Sequence, residues 1–279
     1  MTRPPLWQVV IVRIGTLQST RSAMFANSAG DERPQDIDYH FWLLRGPGEQ
    51  VLVDTGFSLA AASRRGRTAT LDPAAALATL GLDANWTGTV VLTHAHWDHT
   101  GQLANLPRAR AVVSARELLF WRDLPADDPA RDLTEAADLA ALQRAQREGR
   151  IDPVDGVVEL RPGLRVLPAP GHTPGQLAVA VATSDGDVLL TSDAVHFDEE
   201  LQDRLPFRYM SHLDEAHRSY ELLADLLQNS VVGHLVTGHE PGTVHRYPDL
   251  GGPLSGHAST IGSAPAAEEL HPLRKGTTL

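Results

Sequence analysis

The chain has 279 residues, no cysteine and a formal net charge of -11. Its length and apolar content suffice for the core of one large domain, expected over residues 1–250 with a tail over 251–279. The acidic balance without a basic run argues against a nucleic-acid partner, and the lack of cysteine removes disulfides, thiolate ligands and thiol nucleophiles.

In chain order, Leu6 to Ile14 reads as a first strand; its apolar part is short, ends at Arg13 and lacks the small-residue cleavage site of a signal peptide. No apolar run approaches membrane-spanning length, so a cytoplasmic protein without a membrane partner is the expectation. Gln18 to Asp38 mixes Ser, Asn, Gly and Pro and reads as a long loop in which Met24 and Phe25 stand out. Tyr39 to Leu44, a turn at GPGEQ and then VLVDTG predict antiparallel strands with a stop at Gly56. Asp72-Pro73 is an N-cap with proline at the first helical position, opening a helix closed by Gly81.

TVVLTH predicts a buried strand, followed by helices over Arg116 to Arg122 and Leu133 to Glu148. VVEL, LRVLPAP, QLAVAVA and DVLLTSDA are further strand candidates. Asp214 to Gln228 is amphipathic, with Leu213, Tyr220, Leu223 and Leu227 near one face, and VVGHLVTG is a last strand. The order suggests two similar halves with helices outside paired sheets. After Pro248 the Gly/Ser/Pro/Ala-rich chain is expected to attach loosely.

Seven side chains carry the chemistry: His94, His96, Asp98 and His99 in THAHWDHTG, His172 in PGHTPGQ, Asp193 in LLTSDA and His239 in VTGHEPG. Five imidazoles and two carboxylates suit two divalent first-row ions, zinc foremost, with room left for water. His94 and His96 can converge on one ion with His172, Asp98 and His99 on another with His239, and Asp193 can bridge. Water held between two ions ionises near neutral pH, so a dinuclear metallohydrolase is expected. Any of these histidines alone would be an ordinary polar side chain; the packed run is what argues otherwise. His239, between glycines in GHEPG, is preferred to nearby His234.

Among the other residues, Asp54 is read as orienting a ligand histidine, and Trp97 as a pocket wall or packing beneath the loop. Met24, Phe25, Phe197, Phe207, Tyr209 and Met210 are read as core or subunit-contact residues before pocket lining. His40, His212, His217, His245, His257 and His271 lack a motif and are assigned to the surface.

THAHWDHTG with PGHTPGQ, SDA and GHEPG, preceded by DTG at 54–56, resembles the metallo-β-lactamase fold superfamily from about Tyr39 to Pro248. The full ligand set and SDAVHF resemble the N-acyl homoserine lactonase group. The resemblance implies an αβ/βα sandwich of two mixed sheets with external helices, a small-molecule lactone or ester substrate, and a homodimer whose contact uses the loop from Gln18 to Asp38. True zinc β-lactamases lack a bridging aspartate at the position of Asp193, and one major class needs a cysteine. Glyoxalase-II-like thioesterases share all seven ligands and remain the enzymatic alternative. Where well-studied relatives carry tyrosine three residues after the bridging aspartate, this chain has His196, whose imidazole can make the same donation or protonate a departing alkoxide, with Asp98 as the other candidate for that proton.

Overall fold

The computed structural model describes residues 6–229 and 232–264. In chain order the strands are β1 (Gln8–Leu17), β2 (Ile37–Gly46), β3 (Glu49–Val53), β4 (Thr68–Ala69), β5 (Thr89–Leu92), β6 (Arg110–Ser114), β7 (Ile151–Val154), β8 (Val158–Arg161), β9 (Leu164–Pro168), β10 (Leu177–Val181), β11 (Asp187–Ser192), β12 (Val232–Thr237) and β13 (Ala258–Ile261). The helices are α1 (Arg21–Met24), α2 (Leu59–Arg64), α3 (Pro73–Thr79), α4 (Trp97–Thr100), α5 (Ala115–Asp123), α6 (Ala136–Arg147), α7 (Asp198–Asp203) and α8 (Leu213–Asn229). One sheet runs β13-β1-β2-β3-β5-β6-β7 with β4 on β1; the other runs β12-β11-β10-β9-β8.

Both faces of the central strands are covered, so their sequences are continuous apolar runs rather than alternations. Along β1, Val9 and Ile11 turn inward with Trp42 and Val53 against Val166, Val179 and Leu190 of the second sheet. Val10 and Val12 turn outward with Leu43 and Leu52 onto Ala61 of α2, Leu77 of α3 and Leu142 of α6. On the far side, Leu167, Ala178 and Leu189 pack under Ala216, Tyr220 and Leu223 of α8. Helices therefore flank two mixed sheets, the αβ/βα sandwich that the resemblance implied.

Asp72 caps α3 by accepting from the Ala74 N–H at 2.9 Å, and Gly81 closes the helix at φ +83°. Leu213, expected on the packed face of α8, opens that helix and is 45% exposed; the buried face starts at Ala216. The helix expected from Leu133 begins at Ala136, after a 3₁₀ turn over Pro129–Leu133 capped by Asp128.

Two expectations are corrected. The segment from 251, expected to attach loosely, supplies β13, whose Ala258–Ile261 pairs antiparallel with Val9–Val12 and completes the edge of the first sheet. The remainder of that tail, 265–279, lies outside the described residues. The long loop from Gln18 is a folded excursion: Arg21 is paired with Glu199, and Met24 and Phe25 are 6% and 1% exposed, with the Phe25 ring 5.3 Å from that of Phe197. The two side chains that motivated a subunit contact are thus packed inside their own chain.

Candidate metal centre

The seven predicted ligands meet at one end of the sandwich because the strands that deliver them stop there. His94 follows β5 after Thr93, Asp193 follows β11, His239 follows β12 after Gly238, and His172 lies in the loop between β9 and β10. The single turn α4 supplies Asp98 and His99, with His96 at its N-cap. All seven are buried. A Cβ on Gly238 would stand 2.7 Å from Asp193 Oδ1, so only glycine lets the chain leaving β12 pass this close to the carboxylate.

Two groups form, His94, His96, His172 and Asp193 in one and Asp98, His99 and His239 in the other, each with donor atoms within 4.8 Å of one another. Asp193 links them. Its Oδ2 lies 3.4 Å from His172 Nε2 and 3.8 Å from His94 Nε2, and its Oδ1 lies 3.2 Å from the Nε2 atoms of both His99 and His239. Asp98 Oδ2 stands 3.7 Å from the same two nitrogens.

The outer nitrogens are tied down. His99 Nδ1 donates to Asp54 Oδ2 at 2.8 Å and His239 Nδ1 to the Asp38 carbonyl at 2.7 Å, which aims each Nε2 at the centre. Asp54, expected to orient a ligand, also accepts from the Thr93 backbone and hydroxyl, both at 2.8 Å. It thereby joins the ends of β3 and β5.

The electrostatics suit cations. Burial, then the neighbouring imidazoles, holds His94 and His172 well below the usual histidine range, and burial brings His96 down to about 3. These rings are neutral, with lone pairs to give. Burial opposes charge on His99 too, but Asp193, Asp98 and Asp54 overcome it and draw positive charge there. His94 Nε2 and His99 Nε2 are buried without a hydrogen-bond partner among the described residues. Orphaned nitrogens beside two carboxylates are what a pair of divalent cations would satisfy.

His196 lies in the same wall. Its Nε2 is 3.3 Å from Asp193 Oδ2, its Nδ1 is 3.3 Å from Glu200 Oε1, and its ring stacks on Phe207 with centroids 3.7 Å apart. Burial opposes its charge, but Glu200 and Asp193 raise its pKa to about 9. A cavity of about 290 Å³ opens over the cluster, with Trp97, Phe207, Tyr209 and Met24 among its walls and Arg65 and Arg67 on its rim. Phe25 and Phe197 belong to the core instead.

His234 binds the Asp185 carbonyl away from the site, as the preference for His239 required. His40, assigned to the surface, is 2% exposed and pairs through Nδ1 with the Gly238 carbonyl at 3.0 Å. It sits on β2, which has β1 and β3 on its flanks and is covered on both faces.

Two buried glutamates escaped the sequence reading. Glu117 accepts from the Ala95 N–H between two ligands, from the Gly175 N–H and Thr173 hydroxyl just past His172, and from the Trp121 indole. Glu200 accepts from the backbone of His196 and Phe197 at 2.7 and 2.9 Å and from the Tyr220 hydroxyl at 2.6 Å. A glutamate within a helical pattern resembles any solvated one, and their sequences carry no further signal.

Known proteins resemble this chain in sequence or in fold. The acyl-coenzyme A thioesterase MBLAC2 of Bos taurus is 26% identical over 222 residues, which span 72% of this chain and 72% of that protein. A quorum-quenching N-acyl homoserine lactone lactonase superposes with a TM-score of 0.73 at 19% identity, covering 87% of this chain and 96% of that one. AidC, a dizinc quorum-quenching lactonase, superposes with a TM-score of 0.67 at 19% identity, covering 95% and 97%. The family model for the metallo-beta-lactamase superfamily matches residues 38–239, a stretch that begins at the start of β2 and ends on His239, and the chain belongs to that superfamily.

Proposed function

We propose that the protein is a metal-dependent hydrolase that opens a small lactone. The observation that carries this reading is Asp193, whose two oxygens reach the two ligand groups on either side. Two divalent ions, zinc in our reading because the donors are nitrogen and carboxylate oxygen, would polarise an acyl carbonyl and bring the pKa of water towards neutrality.

The chain's own residues do the rest. His94, His96 and His172 would hold one ion and Asp98, His99 and His239 the other, with Asp193 between the two groups. His196 offers an imidazole N–H towards the carbonyl or leaving oxygen, fixed by its stack on Phe207 and by Glu200 behind it. Asp98, which lines the same cavity, is the other candidate to carry a proton to the departing oxygen. Trp97, Phe207 and Tyr209 wall a cavity near the lower limit for small-molecule sites, which favours a compact substrate over a bulky one.

A second reading is hydrolysis of a thioester or open ester by the same groups. It is supported by the likeness to the bovine thioesterase over most of the chain. A pH-indicator assay of acid release across lactones, aliphatic thioesters and a chromogenic β-lactam separates the two. Fastest turnover on lactones is expected; thioesters turning over faster would replace the lactone reading, and no acid release from any metal-loaded sample would end both.

A further inference from the structure

We propose that Arg67, with Arg65 beside it, forms a subsite for a carboxylate carried by the substrate. The proposal rests on the reading that the cavity takes a lactone or ester, and it narrows that class to compact, anionic members.

Both arginines leave the turn after α2, where the Arg67 N–H returns to the Ala62 carbonyl and β4 then clamps the chain onto β1. Both line the cavity that also exposes His96, Asp98, Asp193 and His239. Arg65 and Arg67 lie 5.1 and 5.9 Å from the Trp97 ring, next to Asp98 in sequence. Arg67 Nε donates to Tyr39 Oη at 2.8 Å, and the Tyr39 ring is 5.2 Å from that of His239. One tyrosine therefore separates this cation from the ligand cluster.

The two cations differ in what balances them. Arg65 is matched by Glu135 at 3.1 Å and also donates to the Thr134 carbonyl. Arg67 has no carboxylate within ion-pair distance among the described residues; its protein partners are the Tyr39 hydroxyl and the Arg65 carbonyl. Asp132 shares the rim but pairs with neither arginine. A half-buried guanidinium loses hydration, and without an anion that loss is poorly offset. Arg67 Nη2 and Arg65 Nη1, which have no hydrogen-bond partner among the described residues, are the donors left for a ligand. Guanidinium groups are well suited to carboxylates, which they bind through paired N–H donors. A cation this close to the cluster suits an acid on or beside the lactone ring, not one at the end of a long chain.

The test compares 5-oxotetrahydrofuran-2-carboxylate with its carboxamide, which share a ring and differ in charge. Metal-loaded wild type should prefer the carboxylate in kcat/KM by about tenfold or more, as a charge-assisted contact implies, and Arg67→Gln should erase most of that ratio. Arg67→Lys should keep part of it. Tyr39→Phe controls for the alternative that Arg67 merely holds the tyrosine: in that case Tyr39→Phe and Arg67→Gln would slow both lactones alike and leave the ratio intact, which would overturn the proposal. A ratio near one in the wild type would also overturn it. Calorimetry with 2-hydroxyglutarate and its monoamide reads the subsite without turnover. Arg67-dependent preference for the diacid with neither lactone opened would end the lactone reading and keep the subsite, whereas equal binding of the two would end the subsite.

Discussion

The two ligand groups lean on different buried carboxylates. Asp54 grips an imidazole directly and so sets the tautomer and orientation of His99. Glu117 accepts no hydrogen bond from an imidazole; it gathers backbone N–H groups from the two loops that carry His94, His96 and His172. Gly175 lets it do so, since a Cβ there would stand 2.3 Å from the Glu117 backbone. One side of the centre is organised through a side chain and the other through loop backbone, so the two sides should fail differently.

The largest effect should erase the distinction. Asp193→Ala removes the one carboxylate shared by both groups. Metal content by elemental analysis should fall at both positions, and kcat/KM should fall by more than the roughly 10- to 100-fold typical of losing an outer partner. Retention of two ions per chain would refute the bridge.

Asp54→Ala and Glu117→Gln should expose the distinction. Each is expected to weaken metal binding by about 10- to 100-fold, read by competition with a chromogenic chelator. Asp54→Ala should release mainly the ion held by His99, and Glu117→Gln mainly the ion held by His94, His96 and His172. Glu117→Gln should also lower thermal stability, because an amide cannot accept at both ends. Equal loss of both ions in both variants would dissolve the comparison.

His196 tests whether a residue between the groups serves chemistry or metal. His196→Phe should lower kcat/KM by about 10²-fold, the scale of a general acid, with two ions retained. Loss of metal in this variant would reassign His196 to ligation.

The smallest effect concerns a buried carboxylate without the partners that Asp54 and Glu117 enjoy. Asp138 Oδ2 is buried without a hydrogen-bond partner among the described residues, and burial, then Glu135, raises its pKa from 3.8 to about 6. The folded state therefore binds this proton more tightly than the unfolded chain. Its contribution to stability falls as pH rises from about 4 to about 6 and stays low above that. Asp138→Asn should flatten that window and stabilise the fold at pH 7 by about 1 kcal/mol after solvent screening, a rise of roughly 2 to 4 °C in Tm. Thermal melts at pH 4 and pH 7 check the sign.

The run from His94 to His99 was legible because its constraint is local. Four candidate ligands within six residues, at the end of an apolar strand, have no simpler explanation, and the same holds for histidine or aspartate after LRVLPAP, LLTS and VVGHLVTG. Continuous apolar runs announced strands covered on both faces, and Asp72-Pro73 announced α3. These features depend on neighbours in sequence or on the chemistry of a metal site, and a sequence displays both.

Other features depended on contacts between distant positions. Asp54 lies 45 residues from His99, and Glu117 lies 58 from Gly175. His40 is buried because β2 falls between β1 and β3, and β13 returns from the far end of the chain to close the sheet on β1. The rim arginines face the cavity because the turn after α2 is clamped beside the cluster. The sequence by itself determined the candidate ligands, the strands that deliver them and the family resemblance, because short-range periodicity and metal-donor chemistry leave a local imprint. Only the tertiary structure decided which carboxylates support them, that His40 is buried and which arginines line the cavity, because sheet order and crossovers bring together residues whose sequence neighbourhoods say nothing of each other.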